Sequence, residues 1–143
     1  MTTRILFVCT GNSARSQMAE GLARWLAAPG VEVASAGTRQ GGVSPLAVAA
    51  MRERGIDISG QRSKGIEDAS GEFDYVITLC DQAAQHCPAA PAHRARLHWS
   101  IPDPALAAGD PAGQRAFFAR IRDDIERRLQ EWMRHERLLG EGR

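Results

Sequence analysis

Apolar residues along this chain fall either into short unbroken runs or into stripes at helical spacing, with Gly, Pro and Ser marking the joins. Ile5-Leu6-Phe7-Val8 is an unbroken run that ends at a Gly/Asn/Ser loop, and it reads as a buried strand of a parallel sheet. From Ser16, the residues Met18, Leu22, Trp25 and Leu26 share one helical face until Pro29-Gly30 stops the pattern. Val31 to Ala36 reads as a second strand. Ser44 followed by Pro45 is an N-cap with proline at the first helical position, opening a helix that Gly55 closes and whose expected core face is Leu46, Ala49 and Ala50. Residues 56 to 72 are polar, Gly-rich and aperiodic, so they are expected to be loop with at most a turn of helix.

Tyr75 to Leu79 is β-rich and delivers Cys80 at its carboxyl end, and Arg96 to Trp99 is a candidate fourth strand. Asp110-Pro111 opens the last helix, where Phe117, Phe118, Ile121, Ile125, Leu129 and Trp132 recur at three and four residues. Asp123 with Arg127, and Asp124 with Arg128, are expected as i,i+4 pairs on its outer face. Strands alternating with helices predict an α/β fold over 1–143, a single three-layer domain with a small four-stranded parallel sheet. In such sheets ligands bind beyond the carboxyl ends of the strands, where Cys9 and Cys80 both belong.

Composition narrows the function. With 143 residues and 43% hydrophobic content, one core forms without disulfide staples. The 18 Lys+Arg nearly balance 17 Asp+Glu, so nothing calls for nucleic acid or an acidic membrane surface. The apolar run near the N-terminus is too short for a signal peptide or a membrane span, which makes a cytoplasmic location the expectation; a monomer is expected as well. Three cysteines in a reducing compartment turn attention to reactive thiols rather than to a disulfide framework.

The chemistry concentrates in Cys9-Thr10-Gly11-Asn12-Ser13-Ala14-Arg15-Ser16, a cysteine, five residues and an arginine between a strand end and a helix start. A loop entering a helix turns several backbone N–H groups inward and, with the helix dipole, forms a nest for a tetrahedral oxyanion. Arg15 can clamp two anion oxygens with its planar fork, and the same positive field favours the thiolate of Cys9 as nucleophile. Asn12 suits a left-handed turn, and the Ser16 hydroxyl can donate to the thiolate. Cys80 and Cys87 stand six residues apart, too far for a zinc pair but within reach of each other along a flexible or helical segment. Taken singly, Cys80 reads equally well as a strand-end core residue, and Cys87 as an incidental surface thiol.

The stretch Cys9 to Glu20 resembles the opening of the thioredoxin-coupled arsenate reductases, which share a fold with low-molecular-weight protein tyrosine phosphatases. Ser35-Ala36-Gly37, Gly55-Ile56-Asp57-Ile58-Ser59, Thr78-Leu79-Cys80, Cys87-Pro88, His98-Trp99 and Asp103-Pro104 match that family in order. The resemblance implies that arsenate is the substrate and thioredoxin the external reductant, with no tightly bound cofactor. It implies that Cys80 attacks a Cys9-bound arsenic adduct, that Cys87 then takes over the disulfide, and that Asp103 is the general acid. The tyrosine-phosphatase branch has an aromatic after this Asp-Pro, whereas Ala105 here favours a small inorganic substrate. Some members bind potassium at positions matching Asn12, Glu20, Ser35 and a Thr/Asp pair; that pair reads Arg62 and Lys64 here, which argues against a cation site. The ammonium of Lys64, the only lysine, could fill the same electrostatic role for Glu20, but a solvated surface charge is the stronger expectation. Two other readings stay open: a phosphatase using Cys9, Arg15 and Asp103 alone, and a sensor whose three thiolates bind As(III) or zinc.

Overall fold

The computed structural model describes residues 2–69, 71–79, 92–104 and 109–143. Strands β1 (Thr3–Cys9), β2 (Val31–Gly37), β3 (Phe73–Thr78) and β4 (Ala92–His98) form one sheet in the order β2-β1-β3-β4, with all neighbouring pairs parallel. Helices α1 (Arg15–Leu26), α2 (Pro45–Glu53) and α3 (Pro111–His135) connect or follow them, and a single 3-10 turn at Ile66–Asp68 interrupts the polar stretch before β3. Ile5, Leu6, Phe7 and Val8 have no exposed surface. Successive side chains of a strand point to opposite faces, so β1 is covered on both, as the unbroken apolar run requires.

Helix starts follow their capping residues. Ser44 Oγ accepts from Ala47 N and Asp110 Oδ1 from Gly113 N, each ahead of a proline in the first turn, which satisfies donors the helix cannot. The α1 face built from Met18, Leu22 and Leu26 is fully buried, with Trp25 half-buried beside it. In α2 the expected face is turned by about one residue: Ala47, Ala50 and Met51 are buried, while Leu46 and Ala49 are half-buried. The reason is that α2 packs against both α1 and α3, and Met51 reaches under Gly21, where a Cβ would meet Met51 Cε at 3.1 Å and Ile58 Cγ2 at 2.5 Å.

On α3, Phe118, Ile121, Ile125, Leu129 and Met133 carry the core, and Phe117 and Trp132 sit at its margin. Asp124 pairs with Arg128 as expected, but Asp123 pairs with its neighbour Arg122, and Arg127 turns to Asp124 and Glu131. Arg122 is drawn that way because its other donor caps the α2 carbonyl of Ala50 at 2.7 Å. Strand β4 begins earlier than expected and lies at the sheet edge, which is why polar His93, Arg94 and Arg96 are tolerated in it.

One buried charge ties α2 to α3. Glu126 is 8% exposed, and Arg54 donates to both its oxygens, at 3.0 and 2.7 Å, while covering the Trp25 ring. Arg54→Met strands that carboxylate, so thermal denaturation is expected to show a loss of about 2 kcal/mol, less than for a fully buried pair because Arg54 is partly solvated. For a chain of this size that is a fall of about 6 °C in Tm. A shift of less than about one degree would show that the pair contributes nothing net.

Candidate oxyanion site

Cys9 is the last residue of β1 and lies beside Gly37 at the end of β2, with Leu79 N donating to Val8 O just after β3. The loop leaving Cys9 is held by its carbonyl oxygens. Cys9 O accepts from Thr38 N at 3.2 Å, and Thr10 O from Arg39 N at 3.0 Å and Thr38 Oγ1 at 3.1 Å. Gly11 O accepts from Gly41 N at 2.7 Å and Ser63 Oγ at 3.1 Å, and Asn12 O from Gln17 Nε2 at 3.1 Å. Ser13 O accepts from Ser44 N and Ala14 O from Met18 N.

Six consecutive carbonyls are thus engaged by the surrounding scaffold, and a trans peptide carries its N–H antiparallel to its carbonyl. The N–H groups of the loop therefore face the opposite, concave side, next to the start of α1, whose N-cap Ala14 supplies no side-chain cap. That is the donor arrangement of an anion nest. Two backbone features permit it. Asn12 adopts φ 47°, and Gly37 lets β2 come so close that a Cβ there would lie 2.6 Å from Arg39 O and 2.7 Å from Asn12 N.

Behind the loop, hydrogen-bond directions can be read from the acceptors. Asn12 Oδ1 accepts from Lys64 N at 2.8 Å and Gln17 Nε2 at 2.9 Å, so its Nδ2 faces Ser16 Oγ at 2.8 Å and Ser35 Oγ at 2.9 Å and donates to both. Ser35 gives its own proton to Glu20 Oε1. Ser16 already receives an N–H from Asn12, and its Oγ lies 2.9 Å from Cys9 Sγ. At that distance the Ser16 hydroxyl can donate to the sulfur when Cys9 acts as the nucleophile. Cys9, Asn12, Ser16 and Ser35 are all essentially buried, so water does not compete for these bonds.

Lys64 is not the solvated charge expected. Its ammonium donates to Arg62 O at 2.9 Å and lies 3.8 Å from Glu20 Oε1, with the side chain 26% exposed. Glu20, 5% exposed, has its other oxygen taken by Arg24 at 2.7 Å. A buried carboxylate needs a compensating cation, and Glu20 has two, Arg24 four residues on and the only lysine of the chain 44 residues away. Asn12 Oδ1 and both Glu20 oxygens thus each face donors, with the Lys64 ammonium beside Glu20 Oε1.

Arg15 is nearly buried, donates through Nη1 to Ile101 O at 3.1 Å, and holds Nη2 3.7 Å from Asp103 Oδ2. The structure thus brings Cys9, Arg15, Ser16 and Asp103 to one edge of the sheet. Cys80, Cys87 and Ala105 lie outside the described residues. Sequence reasoning passed over Gln17, Gly37, Thr38, Gly41 and Ser63 as working parts; the only hint was the density of small and amide residues between Ser35 and Ser44 and around Ser63.

No helix among the described residues is long and apolar enough to cross a membrane. Residues 4–141 match the family model described as low molecular weight phosphotyrosine protein phosphatase. An arsenate reductase of Bacillus subtilis is 50% identical over 129 residues, 90% of this chain and 93% of that protein. A solved structure described as an arsenate reductase in the phosphate binding state superposes with a TM-score of 0.77 at 35% identity, covering 94% of this chain and 98% of that one. A thioredoxin-dependent arsenate reductase of Corynebacterium glutamicum gives a TM-score of 0.67 at 27% identity, covering 94% of this chain and 61% of that one. The match in sequence and in backbone runs through the loop after Cys9 and on to the last helix, and the chain belongs to the low molecular weight phosphotyrosine protein phosphatase family, on the branch of the bacterial arsenate reductases.

Proposed function

We propose that this protein reduces arsenate to arsenite by a three-cysteine relay discharged by thioredoxin. The observation that carries the first half is the loop itself, its carbonyls held away and its N–H groups turned to the concave side where a tetrahedral oxyanion would sit, with Cys9 at its base and Arg15 at its rim. The arsenate reductases among its relatives support arsenate as that anion. Cys9 attacks arsenic, Arg15 and the loop N–H groups hold the oxyanion in line, and Asp103 protonates the oxygen that leaves as water.

The Cys80 thiolate then attacks the Cys9 sulfur. The sulfur–arsenic bond breaks with its electron pair passing to arsenic, which leaves as arsenite, and a Cys9–Cys80 disulfide remains. Cys87 attacks Cys80, freeing Cys9, and the Cys80–Cys87 disulfide is reduced by the thioredoxin dithiol. The two electrons gained by arsenic are thereby balanced by two thiols. Such a relay belongs in the reducing cytoplasm. It calls for no tightly bound cofactor, and Arg24 and Lys64 supply the positive charge beside Glu20.

Arsenate-dependent consumption of NADPH in the presence of thioredoxin and thioredoxin reductase tests the proposal. Consumption that requires all components is expected; none above background would overturn it, and activity with glutaredoxin and glutathione instead would change the partner. Asp103→Asn is expected to slow formation of the Cys9 adduct by about 10²-fold in single-turnover quench experiments, with the later disulfide exchange unchanged. An unaffected adduct rate would remove Asp103 from the chemistry.

A further inference from the structure

Gln17 has no exposed surface, yet it occupies a position in the first turns of α1 where a leucine would serve packing alone. A buried amide is retained only where its polar atoms find partners. All of those at Gln17 do. Nε2 faces Asn12 O at 3.1 Å, Asn12 Oδ1 at 2.9 Å and Arg62 O at 3.0 Å; Oε1 accepts from Gln61 Nε2 at 2.7 Å, and Gln61 is itself held by Arg24.

We infer that Gln17 is a positioning residue for anion binding, which locks the Asn12–Ser13 peptide with its carbonyl away from the oxyanion and its N–H toward it. The inference rests on the oxyanion-loop reading above. Of the six carbonyls from Cys9 to Ala14, five are held by backbone N–H donors, and Asn12 O alone depends on a side chain. Asn12 is also the loop residue with positive φ, an intrinsically disfavoured backbone that its surroundings must hold in place. Without the Gln17 amide a buried carbonyl loses its donor, and rotation of the peptide relieves it by swinging the oxygen into the nest and the Ser13 N–H out of it. An attractive donor is then replaced by a repulsive acceptor at the place where the anion binds. Gln17 also fixes the Asn12 side-chain amide, since its N–H faces Oδ1 and leaves Nδ2 for Ser16.

Inorganic phosphate is the probe, titrated by calorimetry and followed through the Ser13 amide resonance. Gln17→Met keeps length and burial but removes the donor. Phosphate Kd is expected to rise about tenfold, the worth of one charge-assisted hydrogen bond, with the Ser13 shift on binding lost and cooperative melting retained. Gln17→Glu, which turns a carboxylate toward three oxygens, is expected to bind phosphate more weakly still. Where Gln17→Met does not fold, Gln61→Met removes the donor that orients the Gln17 amide, and about a threefold loss with an altered Ser13 resonance is expected. Folded variants that bind phosphate within a factor of about two of wild type, with an unchanged Ser13 shift, would overturn the role of Gln17 alone. A wild-type protein that binds no phosphate would overturn both this role and the oxyanion reading beneath it.

Discussion

Arg15→Lys is expected to lose roughly 10²-fold or more in kcat/KM for arsenate although the charge is kept. The guanidinium is fixed from both sides, one nitrogen on Ile101 O and the other beside Asp103, so its plane is set before substrate arrives. A planar fork held that way can present two parallel N–H groups to two anion oxygens, which aligns the bond to be broken with the Cys9 sulfur. An ammonium is a point donor on a flexible stem. If it keeps Ile101 O it reaches the anion poorly, and if it turns to the anion it abandons the carbonyl that oriented it. Because the clamp acts on both binding and alignment, phosphate affinity and single-turnover adduct formation are both expected to fall. A lysine variant with wild-type kcat/KM would show that Arg15 only closes the wall of the site.

The parts of this site that the sequence makes legible are those whose cause is local. Ile5 to Val8 reads as a buried strand because a parallel strand covered on both faces needs no alternation, and the run ends where Gly11, Asn12 and Ser13 permit a turn. Ser44-Pro45 and Asp110-Pro111 place two helix starts because capping acts within four residues. The phase of α2 was not legible, since Met51 rather than Leu46 is buried by contact with Gly21 and Ile58, neither of which a nine-residue helix can announce. Lys64 looked solvated for a related reason. Its neighbours Arg62, Ser63 and Gly65 are polar or small, and the carboxylate that draws it inward lies on α1. The carbonyl scaffold from Thr38 to Ser44 is least visible of all, because four of its bonds are made by backbone atoms, which every residue type carries alike.

Single replacements of the three cysteines are expected to separate anion chemistry from redox chemistry. Under the proposed relay, Cys9, Arg15 and Asp103 suffice to bind a tetrahedral anion and form a covalent adduct, whereas Cys80 and Cys87 are needed only to discharge that adduct by reduction. Cys9→Ser is therefore expected to abolish both arsenate reduction and any slow hydrolysis of an aryl phosphate, because both begin with the same sulfur, held by Ser16 at the base of the loop. Cys80→Ser and Cys87→Ser are each expected to stop multiple-turnover reduction while leaving that hydrolysis largely intact, since water can attack a phosphoryl adduct with no thiol to help. The two then differ from each other. With Cys80→Ser no disulfide can form on Cys9, and arsenite stays unreleased. With Cys87→Ser the first exchange still proceeds, so about one arsenite per enzyme is released before the protein halts as a Cys9–Cys80 disulfide. Mass spectrometry of unreduced peptides identifies that species directly. Should both variants turn over arsenate with thioredoxin at the wild-type rate, the relay falls, and an anion site that works through Cys9, Arg15 and Asp103 alone would be the better account of this fold.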